Sequence, residues 1–346
     1  MQDVLLGLSG GVDSAVSAFL LKQKGYNVIG AFLKMHDNCD TELSDAKKVA
    51  DCLNIELVVI DLSEKFESIV ITNFITNYLN GKTPNPCVIC NPLVKFGGLL
   101  DYANSKNIKY IATGHYAKVK NINNRFYIAK SNCAQKDQSY VMYRLDQAVL
   151  SRLILVLGEF ESKDKVREIA SQNRLICANR SDSQEICFIP REMDYGKFIE
   201  IKTGQKSAPG DFIDVNGNII GRHSGVINYT VGQRRGLGKG FGERFYVLDI
   251  NPDKKTITLG QNSQLMKDYI ELDDMVLNTD SIPESINIDI KIRYKDVAEP
   301  AILKNLGNGR AVAQFHKPKR APAKGQSAVF YTEDLVLGGA FITNCK

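Results

Sequence analysis

Apolar residues in the first half of the chain fall in short continuous runs, separated by longer amphipathic stretches. Val4-Leu5-Leu6-Gly7-Leu8 is such a run, the pattern of a strand buried on both faces of a parallel sheet. A helix is predicted from about Ala15 to Lys24, with Val16, Phe19 and Leu20 inward and Gly25 as its stop. Strands follow at Val28 to Leu33, Ile55 to Leu62 and Ile108 to Thr113. Helices follow at Ser44 to Leu53, Glu64 to Leu79 and, after a proline-containing loop, Leu93 to Ser105. Alternating units of this length predict a parallel sheet with helices on both faces.

From about Tyr195 the pattern changes. Glycines become dense, strand-like runs are short, and no clear helix is predicted. Asp211 to Val215, Asn216-Gly217 and Asn218 to Ile220 read as a hairpin with a two-residue turn. Phe245 to Ile250 and Thr256 to Leu259, joined through Asn251-Pro252-Asp253, read as another. Ile288 to Tyr294, Ala301 to Leu306, Arg310 to Phe315 and Ala328 to Tyr331 predict one or two small β-barrels in the tail.

Composition narrows the setting. A length of 346 residues exceeds one average core and predicts two or three domains. No stretch approaches the roughly 20 apolar residues of a membrane span, and Met1-Gln2-Asp3 does not begin a secretory signal, so a cytoplasmic protein without a membrane partner is expected. Eight cysteines in such a setting predict thiols for catalysis or metal binding rather than a disulfide framework. The net charge of +5 is mild. It permits an RNA-facing surface in the second half without predicting one.

The first chemistry-bearing segment is Ser9-Gly10-Gly11-Val12-Asp13-Ser14, between the buried strand and a helix start. Two glycines allow a tight, positive-φ backbone and close approach of a ligand. Backbone N–H groups, the helix N-terminus and two hydroxyls then converge on an anion site. Asp13 beside phosphates would be repelled without an intervening cation, so Mg²⁺ is expected. No Gly-Lys-Ser/Thr follows, so this is not a Walker loop. The plain alternative is a glycine-rich turn with no ligand.

The second is Thr83-Pro84-Asn85-Pro86-Cys87-Val88-Ile89-Cys90. Cys90 is expected just before a helix, where the N-terminus lowers a thiol pKa. Cys-x-x-Cys suits a redox pair, half of a zinc site or part of an iron–sulfur site; a closed zinc site wants four ligands, and no second pair exists. Cys187, in Ile186-Cys187-Phe188-Ile189-Pro190, is the third cysteine of interest, while Cys52 is expected in the core.

The six-residue loop resembles the signature of the ATP-pyrophosphatase (PP-loop) superfamily, whose members cut ATP between the α- and β-phosphates. With the cysteine segments, Ile111-Ala-Thr-Gly-His115-Tyr116, Lys136-Asp-Gln-Ser-Tyr140, Thr230-Val-Gly-Gln-Arg-Arg-Gly-Leu-Gly238 and Gly325-Gln-Ser-Ala-Val-Phe-Tyr331, the chain resembles the bacterial tRNA-specific 2-thiouridylase family. These blocks span nearly the whole sequence. The resemblance implies an α/β adenylating domain with a parallel sheet of the adenine-nucleotide α-hydrolase-like type (1–195), a small central β domain (196–266) and a C-terminal β-barrel (267–346).

It further implies ATP- and Mg²⁺-dependent 2-thiolation of the wobble uridine in tRNAs for Lys, Glu and Gln by an enzyme that is a monomer when free and is fed by a sulfur donor or relay protein. Gly7, Leu8, Ser9, Gly10, Gly11, Val12, Asp13, Ser14, Leu33 and Gly114 would contact ATP. Asn85, Pro86 and Cys87 would border the target base, and His115, Lys136, Asp137, Gln138, Arg293, Tyr294 and Gln326 would touch tRNA. Cys90 matches the nucleophile and Cys187 the persulfide carrier.

One position departs from the commonly described pattern, which has aspartate where this chain has Cys87. A carboxylate role cannot be carried over. Cys87, Cys90 and Cys187 would serve as three ligands of a [4Fe–4S] cluster with an open iron, or the last two as a persulfide and disulfide relay. The rival readings are another PP-loop enzyme, forming an amide or lysidine, and a tRNA-binding module with an inactive ATP loop.

Overall fold

The computed structural model describes residues 1–37, 39–177, 186–190, 192–237 and 244–346. Ser183 to Glu185, directly before the Cys187 segment, and Gly238, the last residue of the Thr230–Gly238 block, lie outside the described residues. Two compact units divide the chain: Met1–Val70, Cys87–Gln184 and Thr332–Gly338 form the first, and Ile71–Pro86, Glu185–Tyr331 and Gly339–Lys346 the second.

The first unit is built on a five-stranded parallel sheet. Its strands are β1 (Asp3–Gly7), β2 (Asn27–Lys34), β3 (Glu56–Asp61), β4 (Tyr110–Ala112) and β7 (Leu153–Ile154), in the order β3-β2-β1-β4-β7. Val4, Leu5 and Leu6 of β1 are fully buried, as their continuous apolar run requires. The helices are α1 (Val12–Gln23), α2 (Asp40–Leu53), α3 (Ser63–Phe66), α5 (Pro86–Cys90), α6 (Phe96–Ser105), α7 (Gln147–Leu150) and α8 (Lys163–Gln172). Ser14, Ala15, Ser17 and Ala18 make the buried face of α1 a small-residue face, which lets the helix lie close to its neighbours. A hairpin, β5 (Lys118–Ile122) with β6 (Arg125–Ala129), completes this unit, and Ala129 pairs with Leu335.

In the second unit, α4 (Thr72–Leu79) and α9 (Tyr195–Thr203) accompany two β structures. The strands β8 (Gly210–Ile213), β9 (Ile219–His223), β10 (Tyr246–Asn251) and β11 (Thr256–Gly260) form one sheet, in the order β10-β11-β8-β9. The strands β12 (Met266–Leu277), β13 (Ser285–Lys291), β14 (Glu299–Gly307), β15 (Arg310–Arg320), β16 (Ser327–Thr332) and β17 (Leu335–Cys345) close into a six-stranded barrel, because β17 also pairs with β12. Closure removes the edges that an open sheet would expose.

Several sequence expectations are corrected. A helix does follow Tyr195: Asp194 caps Lys197 N at 2.8 Å, and Gly204, at φ +68°, ends it. The first hairpin has a three-residue loop rather than two, because Asp214 N bonds Asn218 O and Gly217 takes φ +87°. The helix expected over Glu64–Leu79 contains a π-helical turn at Glu67–Ile71. Cys52 is exposed on α2, not in the core. The helix expected to begin at Leu93 begins instead at Pro86, with a π-helical turn at Asn91–Lys95. Pro92 lacks an N–H and its ring crowds the preceding turn, which favours the wider coil there.

Candidate active site

The sheet order changes direction between β1 and β4, and the loops leaving these two strands meet there. This is the place where open parallel sheets bind ligands. A Cβ on Gly114, after β4, would lie 2.8 Å from Ser14 N and 2.9 Å from the Asp13 carbonyl carbon. Only glycine allows the two loops to close to this distance. Gly10 is equally constrained: it has φ +75°, and a Cβ there would lie 2.7–2.8 Å from atoms of Asp45 and Ala46.

Within the loop, Ser14 Oγ donates to Gly11 O at 3.1 Å and accepts from Ser9 N at 3.3 Å. No side chain caps the N-terminus of α1, so its first-turn N–H groups suit an anion. Leu33 lies near the C-terminal end of β2, and Gly7 ends β1. The residues expected at ATP are therefore spread over the C-terminal ends of two neighbouring strands, the loop and the start of α1.

Sequence reasoning missed two partners of Asp13. Tyr116 Oη donates to Asp13 Oδ1 at 2.7 Å, and Lys163 Nζ, on a residue only 9% exposed, pairs with the same oxygen. Lys163 also stands 5.6 Å from the centre of the Tyr116 ring. It is the first residue of α8, which packs against α1. A cation at a helix N-terminus opposes the dipole, and that misplacement was the available signal. ATP with Mg²⁺ fits this donor set. A hard cation takes carboxylate and phosphate oxygens, and Asp13 supplies the carboxylate beside an anion-binding loop.

His115 follows the same switch-point loop. Its Nδ1 lies 2.7 Å from Thr113 Oγ1, and its ring packs 5.6 Å from that of Phe96. Burial, aided by the charge of Lys95, holds its pKa well below the ordinary 6.5. A base with a depressed folded-state pKa has full stability above its unfolded pKa and loses stability as pH falls through the window beneath it. The wild-type denaturation midpoint should therefore drop between about pH 7.5 and about pH 5.5, and His115→Asn should show a smaller drop. Equal drops in the two proteins would remove His115 as the cause.

Gln138 Oε1 accepts from Tyr116 N at 2.8 Å, so this residue braces the His115-Tyr116 loop. Asp137 accepts from Ser131 N at 3.0 Å and from Ser139 Oγ at 2.8 Å, while Lys136 ends a short 3₁₀ turn.

The cysteine segment differs from expectation. Cys90 is the last residue of α5 rather than the residue before a helix, and it is 7% exposed. Cys87, in the first turn of that helix, is exposed as a residue, yet the desolvated surroundings of its thiol push the pKa up, with Lys95 opposing. At Cys87, desolvation outweighs the helix N-terminus.

In the second unit, Gln326 Nε2 donates to Thr83 O at 2.7 Å and Thr83 N donates to Lys324 O at 2.8 Å, pinning the segment that leads to Asn85 and Pro86. Cys187 is exposed in a turn closed by Ile189 N and Ile186 O at 3.1 Å. Its neighbour Phe188 anchors that turn among Phe74 and Phe198, at ring distances of 5.3 and 5.4 Å. Arg293 Nη2 donates to Val231 O and Ala321 O, and Tyr294 lies 5.9 Å from Lys291 Nζ.

The anion loop, the switch point and the Asp13 cluster define a PP-loop enzyme of the ATP-pyrophosphatase class. Sequence profiles then cover the chain in succession: "tRNA methyl transferase HUP domain" over residues 2–191, "tRNA methyl transferase PRC-barrel domain" over 196–261 and "Aminomethyltransferase beta-barrel domain" over 267–342. The tRNA-specific 2-thiouridylase MnmA 1 of Clostridium tetani is 42% identical across 99% of this chain and 97% of its own. MnmA 1 of Clostridium botulinum is 41% identical over 98% of each chain, and MnmA of Clostridioides difficile 40% over 98% and 97%. The chain belongs to the tRNA-specific 2-thiouridylase family. Among solved structures, the U34-tRNA thiolase NcsA of Methanococcus maripaludis covers 55% of this chain and 61% of its own at 18% identity and TM-score 0.38, a likeness too slight to bear on the site. Among the described residues no helix is long and apolar enough to cross a membrane.

Proposed function

We propose that this chain converts the wobble uridine of tRNA to 2-thiouridine in the cytoplasm. The observation that carries the reading is the Ser9–Ser14 loop at the switch point with Asp13 beside it, in a chain matched along its length by thiouridylases. The uridine C2 oxygen attacks the α-phosphorus of ATP, and pyrophosphate leaves. The oxygen, a poor leaving group by itself, then departs as part of AMP, a much weaker base. In this reading the loop N–H groups and the α1 N-terminus hold the phosphates. Asp13 would hold the Mg²⁺, which would neutralise phosphate charge. Asn85 and Pro86 border the base, and His115, the Lys136–Gln138 turn and Gln326 position the RNA.

Sulfur arrives as a persulfide on Cys187. Its terminal sulfur attacks C2 as the C2–O bond breaks and AMP leaves. The Cys90 thiolate then attacks Cys187 Sγ, which leaves sulfur on the uracil and a Cys90–Cys187 disulfide. An external thiol reopens that disulfide and a persulfide donor reloads Cys187. The substrates proposed are tRNAs of the Lys, Glu and Gln type, bound by a monomer. A [4Fe–4S] cluster on Cys87, Cys90 and Cys187 is the competing form of the sulfur site. Among the described residues no three Cys, His, Asp or Glu side chains gather as a metal-binding group, so no step is assigned to one.

The deciding assay combines ATP, Mg²⁺, a persulfide donor and unmodified tRNA. Formation of 2-thiouridine, AMP and pyrophosphate is expected. AMP without thiouridine would indicate a different adenylating enzyme, and neither product a binding module. Cys87→Asp should stay active in a relay. Its inactivity, with iron and sulfide in anaerobically prepared wild type, would establish the cluster instead.

A further inference from the structure

The second unit holds a group of arginines that the proposed chemistry leaves unused. Arg244, Tyr246, Gln261 and Asn262 line an open depression of about 480 Å³. The guanidinium of Arg320 stands against two of these four residues: it lies 5.4 Å from the Tyr246 ring centre, and its Nε donates to Asn262 Oδ1 at 3.0 Å. A short capped turn fixes Asn262, since Gln261 N donates to Gln264 Oε1 at 2.8 Å.

A second arm reaches the same strand. Gly232 N donates to Val247 O at 2.8 Å and Val247 N to Gln233 O at 3.0 Å, so the loop bearing Arg234 and Arg235 runs alongside the start of β10, next to Tyr246. The Gln233 side chain stiffens that loop by accepting from Thr230 N at 3.0 Å and donating to Arg235 O at 2.9 Å. Arg293 ties the two arms together. Its Nη2 reaches Val231 O, before the loop, at 3.1 Å and Ala321 O, directly after Arg320, at 2.6 Å. Ala321 itself sits at φ +52°, 3.1 Å from where a Cβ on Gly232 would be.

Arg234, Arg235, Arg244 and Arg320 are all exposed, and among the described residues none of them forms an ion pair with a carboxylate. Like charges held together on pinned loops are unfavourable unless a polyanion meets them. A guanidinium held over a tyrosine ring, with its Nε fixed by Asn262, keeps its two terminal nitrogens for phosphate oxygens.

We infer that this ledge, Arg244, Arg320 and Tyr246 with the Arg234-Arg235 loop, binds the sugar–phosphate backbone of the tRNA, outside the target-base contacts. The inference rests on RNA being the substrate. Arg293, expected from the resemblance to touch RNA, here holds the two arms of the ledge in register.

The test measures the affinity of the full chain for an unmodified tRNA transcript across a salt series, for wild type, Arg244→Gln/Arg320→Gln and Arg244→Lys/Arg320→Lys. Each lost phosphate contact should weaken binding about five- to tenfold near 0.1 M salt and flatten the log K against log[salt] slope by about one. The glutamine pair should therefore lose about two units of slope and the lysine pair should retain them, with kcat at saturating tRNA and KM for ATP unchanged in both. Wild-type affinity and slope in the glutamine pair would overturn the ledge. So would weaker binding with an unchanged slope, which marks a distorted fold rather than lost phosphate contacts. Failure of the wild-type protein to bind tRNA would instead overturn the proposed function.

Discussion

Cys90→Ala should abolish 2-thiouridine formation, by about three orders of magnitude or more, while ATP-dependent AMP transfer to the RNA persists. The separation follows from where the residues stand. Cys90 closes α5, whereas the phosphate loop leaves β1, so removing one sulfur leaves the anion site intact. A buried thiol exchanged for a methyl costs little packing, and Cys90 is 7% exposed. The readouts are thiouridine by nucleoside mass spectrometry and, with the persulfide donor withheld, trapped adenylated RNA. Cys133→Ala is the control, since Cys133 is buried in the apolar cluster around β1 and α1, and it should keep full thiolation. Wild-type thiouridine yields from Cys90→Ala would end the assignment of Cys90 as the attacking thiol.

Asp13→Asn should reduce AMP and thiouridine formation together, by about two to three orders of magnitude, because the developing phosphate charge loses its cation-binding carboxylate. It should also destabilise the protein. Lys163 is nearly buried and pairs with Asp13, so the substitution strands a buried ammonium. Asp13 is itself about one-third exposed at the side chain, so the loss should be about 1–3 kcal/mol, below that of a fully buried pair. The double variant Asp13→Asn/Lys163→Met separates the two effects. Its denaturation midpoint should return toward wild type while AMP formation stays low. Full recovery of AMP formation would show that Asp13 serves only to neutralise Lys163.

The PP-loop class was legible from Ser9 to Ser14 because its requirements are local: two glycines, two hydroxyls and a carboxylate, directly after an apolar strand. Most strands of the parallel sheet and barrel were legible for the same reason, since period and turn residues are properties of short windows. The helix at Tyr195–Thr203 was not, because its Phe198 packs against Phe74, which is remote in sequence. The place of Cys90 was misread because the helix expected to start after it starts at Pro86, so the thiol closes a helical turn instead of preceding one.

By itself, then, the sequence determined the kind of chemistry: an anion loop, a set of thiols and a chain-long family pattern. Only the tertiary structure decided which groups act on them. Tyr116 and Lys163 reach Asp13 from 103 and 150 positions away, and Arg293 joins Val231, 62 positions before it, to Ala321, 28 after it. The physical reason is common to all of these. A residue type advertises what it can bond, but the partner is chosen by folding, which brings distant segments within about 3 Å of each other.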